Sequence, residues 1–179
     1  MKIWELNFEV DEYDWLVSDP PFTFEERHSF DGRRHLKTWK KVLVKRTEPE
    51  KQLELGDAPR FTLPVLSKRA LRYLKPLIKE NTEVLPLKFN ESKYFALNII
   101  TVLDAIDYEK SVYTTFSDKK KIMLFDKYAF IEEKISNIPI FKIVDEPRGN
   151  GFVSDEFKRM VEDNDLLGFK FVLVWDSEE

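Results

Sequence analysis

Two histidines flank an aspartate in this sequence, as His28, Asp31 and His35. Imidazole and carboxylate groups are zinc ligands, but a metal ion needs three or four of them in fixed geometry. We predict a β-hairpin over residues 22–46 whose turn is Asp31-Gly32, a dipeptide that favours a tight two-residue turn. The imidazoles then face each other while Asp31 points away at the tip. Because this arrangement supplies only two ligands, we expect an exposed histidine pair, with no metal and no cofactor.

Two aspartates, Asp104 and Asp107, lie three positions apart, and the stretch Thr101-Val-Leu-Asp104 resembles a helix capping box. On one helical face the two carboxylates could hold a divalent cation or share a proton. The chain has no cysteine, and it lacks the G-x-S-x-G, P-loop, H-E-x-x-H and G-x-G-x-x-G motifs. We therefore assign no catalytic residue and expect no enzyme activity. An enzyme of unrecognised type, centred on Asp104 and Asp107, stays as an alternative.

Basic residues cover one side of a predicted helix over residues 67–79. They are Lys68, Arg69, Arg72, Lys75 and Lys79. Such a surface binds nucleic-acid phosphates, and it is also typical of an exposed helix that balances acidic segments elsewhere. The sequence pI near 5.4 and the lack of exposed aromatic residues interleaved with these bases argue against nucleic acid as the partner. A nucleic-acid-associated module using this helix is the second alternative.

Acidic residues are concentrated towards both ends of the chain. Residues 1–31 carry nine acids and two bases, and residues 122–179 carry thirteen acids and seven bases. Residues 32–121 carry an excess of bases. If both ends fold onto one side, they form an acidic face that would attract a basic protein and raise its association rate. Neutralisation of the basic segments within the molecule is the competing interpretation.

A partner-binding cluster is predicted within the first acidic segment. Three acids surround an aromatic residue in a predicted loop, as Asp11, Glu12, Asp14 and Trp15. Charge combined with a large aromatic side chain is typical of the residues that dominate protein interfaces. Packing of Trp15 into the core is the competing interpretation.

The elements that position these residues follow from hydrophobic periodicity. Residues 3–8 form a predicted strand, and the proline-containing stretch 18–21 separates it from the hairpin. Within the hairpin, an aromatic pair and an opposite-charge pair lie in register. The predicted pairs are Phe30 with Arg33, His28 with His35, Glu26 with Lys37, and Phe24 with Trp39. A polar, proline-bounded loop at residues 48–59 follows.

One helix and four strands are predicted in the middle of the chain. Ser67 is expected to cap the helix, and Pro76 inside it predicts a kink or an early stop near Lys75. Its apolar stripe consists of Ala70, Leu71, Leu74, Leu77 and Ile78. Strands are expected at residues 84–89 and 94–100, and residues 112–116 and 121–125 should form a hairpin across residues 117–120.

The last forty residues read as a strand, a glycine-rich turn, a capped helix and a closing strand. Ser154 is expected to cap the helix, and Gly168 is placed where a positive φ is needed after it. Phe157, Met160 and Val161 share one helical face. Alternation predicts that Phe169, Phe171, Leu173 and Trp175 share one face of the closing strand.

At 179 residues, the chain is expected to be an α+β protein with a mixed or antiparallel sheet and a few helices. We predict a single compact domain with an N-terminal strand and hairpin lobe at residues 1–59 and an α+β part at residues 60–179, or one continuous domain. The start of the chain lacks a secretion signal, and its apolar runs are far too short to span a membrane. We therefore expect a cytoplasmic protein with no membrane contact.

Three segments resemble one known family. Residues 64–77 read PVLSKRALRYLKPL, residues 98–111 read NIITVLDAIDYEKS, and FVSDEFK at 152–158 precedes LGFKF at 167–171. Their order and spacing resemble the immunity-protein family numbered eleven of bacterial polymorphic toxin systems, formerly a domain of unknown function. The resemblance implies an α+β protein, encoded beside a toxin gene, that binds and neutralises the toxin without catalysis. It transfers no catalytic or ligand residues. The implied partner is a cognate toxin, with a basic nuclease as one candidate class.

Overall fold

The computed structural model describes residues 1–117 and 121–178, and helices and strands are mixed along the chain, which confirms the predicted α+β class. The strands are β1 (Lys2–Phe8), β2 (Leu16–Ser18), β3 (Val44–Arg46), β4 (Val65–Ser67), β5 (Thr82–Pro86), β6 (Tyr94–Ile99), β7 (Val102–Leu103), β8 (Val112–Thr115), β9 (Ile122–Lys127), β10 (Ile140–Ile143), β11 (Phe152–Ser154) and β12 (Phe169–Asp176). The helices are α1 (Phe24–His28), α2 (Lys68–Ile78), α3 (Glu132–Ile135) and α4 (Asp155–Glu162), and a 3-10 turn covers Pro49–Lys51.

A five-stranded sheet brings the two ends of the chain together. Its order is β12-β1-β11-β10-β7, so the first strand lies between two strands from the C-terminal part. All pairings are antiparallel except β10 with β7, which is parallel. The two acidic terminal segments therefore share one sheet.

The remaining strands form three smaller sheets. A three-stranded antiparallel sheet has the order β4-β6-β5, and β2-β3 and β8-β9 form two-stranded antiparallel pairs. The β8–β9 pair confirms the hairpin predicted from residues 112–125, although residues 118–120 of its predicted turn lie outside the described part of the chain.

Three hydrophobic clusters hold these sheets together. The first lies where α2 and α4 pack on the five-stranded sheet, and it includes Leu6, Leu74 and Phe157. The second joins β2 and β3 to the three-stranded sheet. The third covers the opposite face of the five-stranded sheet and is rich in aromatic rings, among them Phe130 and Phe141 at a centroid distance of 5.8 Å.

Helix α2 matches its prediction except near its end. The Ser67 hydroxyl accepts a hydrogen bond from the Ala70 amide at 3.0 Å, and the predicted stripe faces the first cluster. The early stop near Lys75 does not occur, because the helix continues through Pro76 to Ile78. Leu74 and Ile78 are fully buried, and their packing retains the last turn although Pro76 has no amide to donate.

The hairpin predicted over residues 22–46 is wrong, and with it the facing histidines. Residues 24–28 form α1, because Thr23 and Glu26 make a reciprocal capping box. The following segment is held by the buried Glu83 carboxylate, which accepts hydrogen bonds from the His35 amide at 2.6 Å and the Leu36 amide at 3.2 Å. This segment therefore docks onto β5 instead of pairing with residues 24–28.

The helix predicted to open at Thr101 is also wrong. Val102 and Leu103 form β7, which pairs in parallel with Lys142 and Ile143 of β10. The Thr101-Val-Leu-Asp104 pattern fits a capping box, but the edge of β10 offers backbone hydrogen bonds to the same residues. The Thr101 and Leu103 carbonyls accept from the amides of Lys142 and Val144, so these residues pair as a strand.

The C-terminal elements follow the prediction with one correction. Ser154 caps α4, and Gly168 has a positive φ of 89°. The strand alternation fails near its end, because a register shift opposite Ile3 and Trp4 places Leu173 and Trp175 on different faces. Trp175 then packs against Phe130 at a centroid distance of 5.9 Å.

Candidate partner-binding surfaces

The four predicted partner-binding residues lie in one loop between β1 and β2. Backbone hydrogen bonds anchor this loop, from the Glu9 amide to the Gly168 carbonyl at 3.0 Å and from the Asp14 amide to the Glu54 carbonyl at 2.8 Å. Asp11 and Glu12 are exposed, whereas Asp14 is only 3% exposed and Trp15 is half-buried. The loop thus divides the four into two surface residues and two that point inward.

Asp14 and Trp15 shape the loop. The Asp14 carboxylate accepts hydrogen bonds from the Trp15 amide at 2.7 Å and the Glu48 amide at 3.2 Å, and its Oδ2 lies 3.6 Å from Nη1 of Arg46. The Trp15 indole donates to the Val10 carbonyl at 3.2 Å, and the Arg60 guanidinium lies 4.4 Å from its ring centroid. Both side chains therefore have structural partners.

An acidic patch surrounds the neighbouring Tyr13. We define this patch as Glu9, Asp11, Glu12 and Glu54. Burial raises the pKa of the Tyr13 hydroxyl above its ordinary value, and the negative charges of Glu12, Glu54 and Glu9 raise it further. The same field would attract a positively charged partner.

The β8–β9 hairpin carries large apolar side chains on its outside. We define the apolar hairpin by its exposed residues Val112, Phe116, Met123 and Leu124. Met123 and Leu124 are 53% and 52% exposed, and Phe116 is 50% exposed. Phe125 points inward to the third cluster, so one face of the hairpin is fixed on the core while the other meets solvent.

A groove links the apolar hairpin to strand β12. Its volume is about 450 Å³, and the side chains lining it include Tyr128 near the hairpin base and Val172, Leu173 and Val174 on β12. Among the described residues, β12 pairs only with β1, so its outer edge is free. Hairpin, groove and edge strand adjoin one another. The groove also contains charged side chains, those of Lys110, Asp126, Lys127 and Asp176.

The basic side of α2 lines a second, wider groove. Its volume is about 1050 Å³, and its floor includes Leu71, Pro76 and Phe95 with basic side chains beside them. Arg69 is committed elsewhere, because its guanidinium donates to Asp57 at 2.8 Å and to the Asn164 carbonyl at 2.6 Å.

The structure places Asp104 and Asp107 in a loop between β7 and β8. Asp104 is exposed, with its Oδ2 4.0 Å from Nζ of Lys134. Asp107 accepts hydrogen bonds from the Glu109 amide at 3.1 Å and the Lys110 amide at 3.3 Å, which caps a turn. The shared helical face that suggested joint chemistry is therefore absent from this part of the chain. In the described ranges, no three acidic or histidine side chains are grouped so as to hold a metal ion.

His28 and His35 are separated as well. The His28 ring stacks on Phe24 at a centroid distance of 3.7 Å, and the His35 ring lies 4.7 Å from that of Phe30. Each imidazole also bonds to a backbone carbonyl, that of Phe24 at 2.7 Å and that of Ser29 at 2.9 Å.

One polar cavity was not predicted from the sequence. It has a volume of about 350 Å³ and lies between α1, β6, β10 and the segments near residues 60 and 148. Arg27, Arg60, Lys142 and Arg148 line it, together with Asn98. These residues come from four distant parts of the chain, so no spacing pattern could have grouped them.

Comparison with protein families gives a match over nearly the whole chain. A sequence model described as "Immunity protein family (Imm11)" matches residues 9–176. The chain belongs to the Imm11 immunity protein family. Imm11 membership confirms the family predicted from the three segments, and it suggests a toxin-neutralising role. Among curated proteins, none matches this Imm11 chain. Within residues 1–117 and 121–178, none of the helices has both the length and the apolar composition that crossing a membrane requires.

Proposed function

We propose that this protein binds a cognate bacterial toxin and neutralises it through stoichiometric contact, with no catalytic step of its own. The observation that carries the proposal is the Imm11 match over residues 9–176. A protein acting in this way needs a preformed surface with a few large side chains that the partner can bury.

The apolar hairpin and the adjoining edge of β12 are the proposed docking surface for the toxin. Exposed and contiguous apolar side chains are typical of interaction sites, and Met123, Leu124 and Phe116 are each at least half exposed. The free edge of β12 adds unpaired backbone amides and carbonyls, which can pair with a strand of the partner. Together they offer both apolar burial and directional hydrogen bonds.

The acidic patch is proposed to steer the toxin towards this surface. Of the four residues predicted from the sequence, Asp11 and Glu12 would contact the toxin directly, since they are exposed. Asp14 and Trp15 would act by holding the loop in place. A negative patch favours a basic partner, and a nuclease that binds nucleic-acid phosphates is the toxin class we propose.

The experiment is a calorimetric titration with the toxin encoded beside this gene. The double substitution Met123→Asp and Leu124→Asp should weaken binding at least about 100-fold, because it buries charges in the interface. Leu36→Asp is the matched control, since Leu36 is 54% exposed and lies outside both proposed surfaces. Full affinity in the double variant would remove the hairpin as the docking surface. No binding by the unmodified protein would remove the proposed function itself.

Nucleic-acid binding through α2 is the second candidate function. The observation in its favour is the groove of about 1050 Å³ in which Leu71, Pro76 and Phe95 lie beside basic side chains. Aromatic and basic groups in one groove can bind a single strand by stacking and phosphate contact. Retention on heparin that disappears at modest salt would support this candidate, and absence of retention at low salt would eliminate it.

A further inference from the structure

The polar cavity contains an excess of positive charge. Four cationic side chains line it, those of Arg27, Arg60, Lys142 and Arg148, and no carboxylate is among its described lining residues. Elsewhere in the molecule, buried charges are paired, as with Asp57 and the guanidinium of Arg69 at 2.8 Å. Like charges that converge without a counter-charge repel one another, so an anion in the cavity would relieve that repulsion.

Lys142 is the most deeply buried of these four cations. Its residue is only 4% exposed, and its Nζ donates to the Phe30 carbonyl at 2.7 Å. No carboxylate among the described residues lies within salt-bridge distance of this ammonium. Asp31 acts on it at longer range, but both Asp31 oxygens are held by Arg33 at 2.8 Å. Burial lowers the pKa of Lys142 to about 8, so the side chain is still mainly charged at neutral pH.

The arginines at the cavity mouth are available for a ligand. Within the described residues, the guanidinium groups of Arg27 and Arg148 make no hydrogen bond or ion pair to another side chain. The Arg60 guanidinium lies over the Trp15 ring, and this contact does not use its N–H groups, which can donate in the plane of the guanidinium. A guanidinium presents paired donors that match the oxygens of a phosphate group.

Asn98 belongs to the wall of the cavity. The residue is 1% exposed and lines the cavity, and its Nδ2 donates to the Arg33 carbonyl at 2.7 Å and to Glu83 at 3.0 Å. Its Oδ1 is buried and has no hydrogen-bond partner among the described residues. A buried acceptor without a donor costs about 1–3 kcal/mol. Because this oxygen is closed to solvent, it lies behind the cavity wall and is not a ligand contact.

We propose that this cavity binds a small phosphate-bearing compound, with its phosphate held by Lys142, Arg27 and Arg148. A phosphate dianion balances two of the cations, which a single carboxylate does not. The volume of about 350 Å³ leaves space for an organic group beside the phosphate. The site shares no residue with the apolar hairpin or the acidic patch, although Phe8 and Val10 of its lining flank Glu9 of that patch. It adds a ligand to the proposed toxin-binding role.

The test uses inorganic phosphate as the probe with the full-length protein. Millimolar phosphate should raise the thermal midpoint in a saturable way, while chloride at the same ionic strength and acetate should not. The double variant Arg27→Gln and Arg148→Gln should bind phosphate at least tenfold more weakly by calorimetry. Both arginines are exposed, so the fold should be retained. Lys37→Gln combined with Lys41→Gln is the matched control, because it removes two exposed positive charges outside both the cavity and the α2 groove and should leave phosphate affinity unchanged.

Three outcomes would overturn this proposal. They are a phosphate response no larger than that of chloride, equal binding of acetate, and unchanged phosphate affinity in the double variant. Lys142→Met gives a further check, since it removes the buried charge while keeping a long apolar side chain. If this variant folds and still binds phosphate with full affinity, Lys142 has no part in the site.

Discussion

Lys142 carries a charge in a place where a charge is destabilising. Its strand β10 has the sequence Ile-Phe-Lys-Ile and all four residues are buried, so the ammonium has lost most of its hydration. Burial lowers its pKa from 10.5 to about 8. The unfolded chain therefore binds this proton up to a higher pH than the folded chain does.

Stability should consequently rise with pH above about pH 8. Between the folded and unfolded pKa values the unfolded state binds more protons, so raising the pH favours the folded state. We expect the free energy of unfolding to increase by on the order of 1–2 kcal/mol between roughly pH 8 and pH 9.5. Well below pH 8 the group is protonated in both states, so it adds no dependence on pH there. Tyr94 and Tyr108, whose pKa values burial raises to about 12, act in the opposite direction only above about pH 10.

Urea unfolding at several pH values measures this effect. Lys142→Met should lack the rise, because it has no proton to release. Parallel stability profiles for the two proteins would contradict the assignment of the effect to Lys142.

Asp57 joins three segments through one buried carboxylate. It accepts hydrogen bonds from the Ser67 hydroxyl at 2.5 Å, the Arg69 guanidinium at 2.8 Å and the Leu167 amide at 3.1 Å. Asp57→Ala leaves these donors without their acceptor and should reduce the free energy of unfolding by about 2–4 kcal/mol. Asp11→Ala, at an exposed position, should change it by less than about 0.5 kcal/mol. Chemical denaturation compares the two, and a similar small loss in both would refute the structural role of Asp57.

Among the secondary-structure elements, the start of β12 depends on a glycine. Gly168 has a φ of 89°, and a Cβ placed on it would lie 2.9 Å from the Ala58 carbonyl oxygen. Gly168→Ala should therefore cost at least about 2 kcal/mol, since both the backbone conformation and the close approach become unfavourable. Gly149→Ala is the control, because Gly149 lies outside the left-handed region and should cost less than about 1 kcal/mol. The midpoints of urea unfolding measure the cost of each substitution. Equal midpoints for the two variants would rule out a special requirement for glycine at position 168.

Elements with strong local signals were predictable, and those that depend on distant partners were not. Helices α2 and α4 each combine a serine cap with an apolar stripe inside a dozen residues. The failed hairpin at residues 22–46 shows the opposite case. Thr23 and Glu26 form a capping-box pattern that competes locally with the Asp31-Gly32 turn, and Glu83, which holds the following segment, lies 48 positions from His35.

For the molecule as a unit, the placement of β1 has a thermodynamic consequence. Because β1 lies between β11 and β12, we propose that residues 1–59 and 60–179 unfold together as one continuous domain. Tryptophan fluorescence and far-ultraviolet circular dichroism should then give coincident transitions in urea. Two separate transitions would indicate an independent N-terminal lobe.

The distribution of charge leads to a prediction about association with the toxin. If the acidic patch steers a basic partner, the association rate should fall as ionic strength rises. Asp11→Asn combined with Glu12→Gln should lower the rate by about tenfold at low salt and flatten its salt dependence. Glu80→Gln removes an exposed acid outside the patch and should have little effect. Stopped-flow kinetics measure the rates, and an unaltered salt dependence in the double variant would exclude steering by Asp11 and Glu12.

The α+β class and the capped helices were readable from the order of residues, because short-range patterns of caps, stripes and alternation encode them. The family was readable from the resemblance of three segments to a known family. Which side chains meet was decided by packing. The four cations of the polar cavity come together only when α1, β10 and the segments near residues 60 and 148 converge. Asp14 is held inward by contacts with residues 46 and 48. Contacts between residues far apart in sequence leave no periodic trace, so they become visible only in the folded structure.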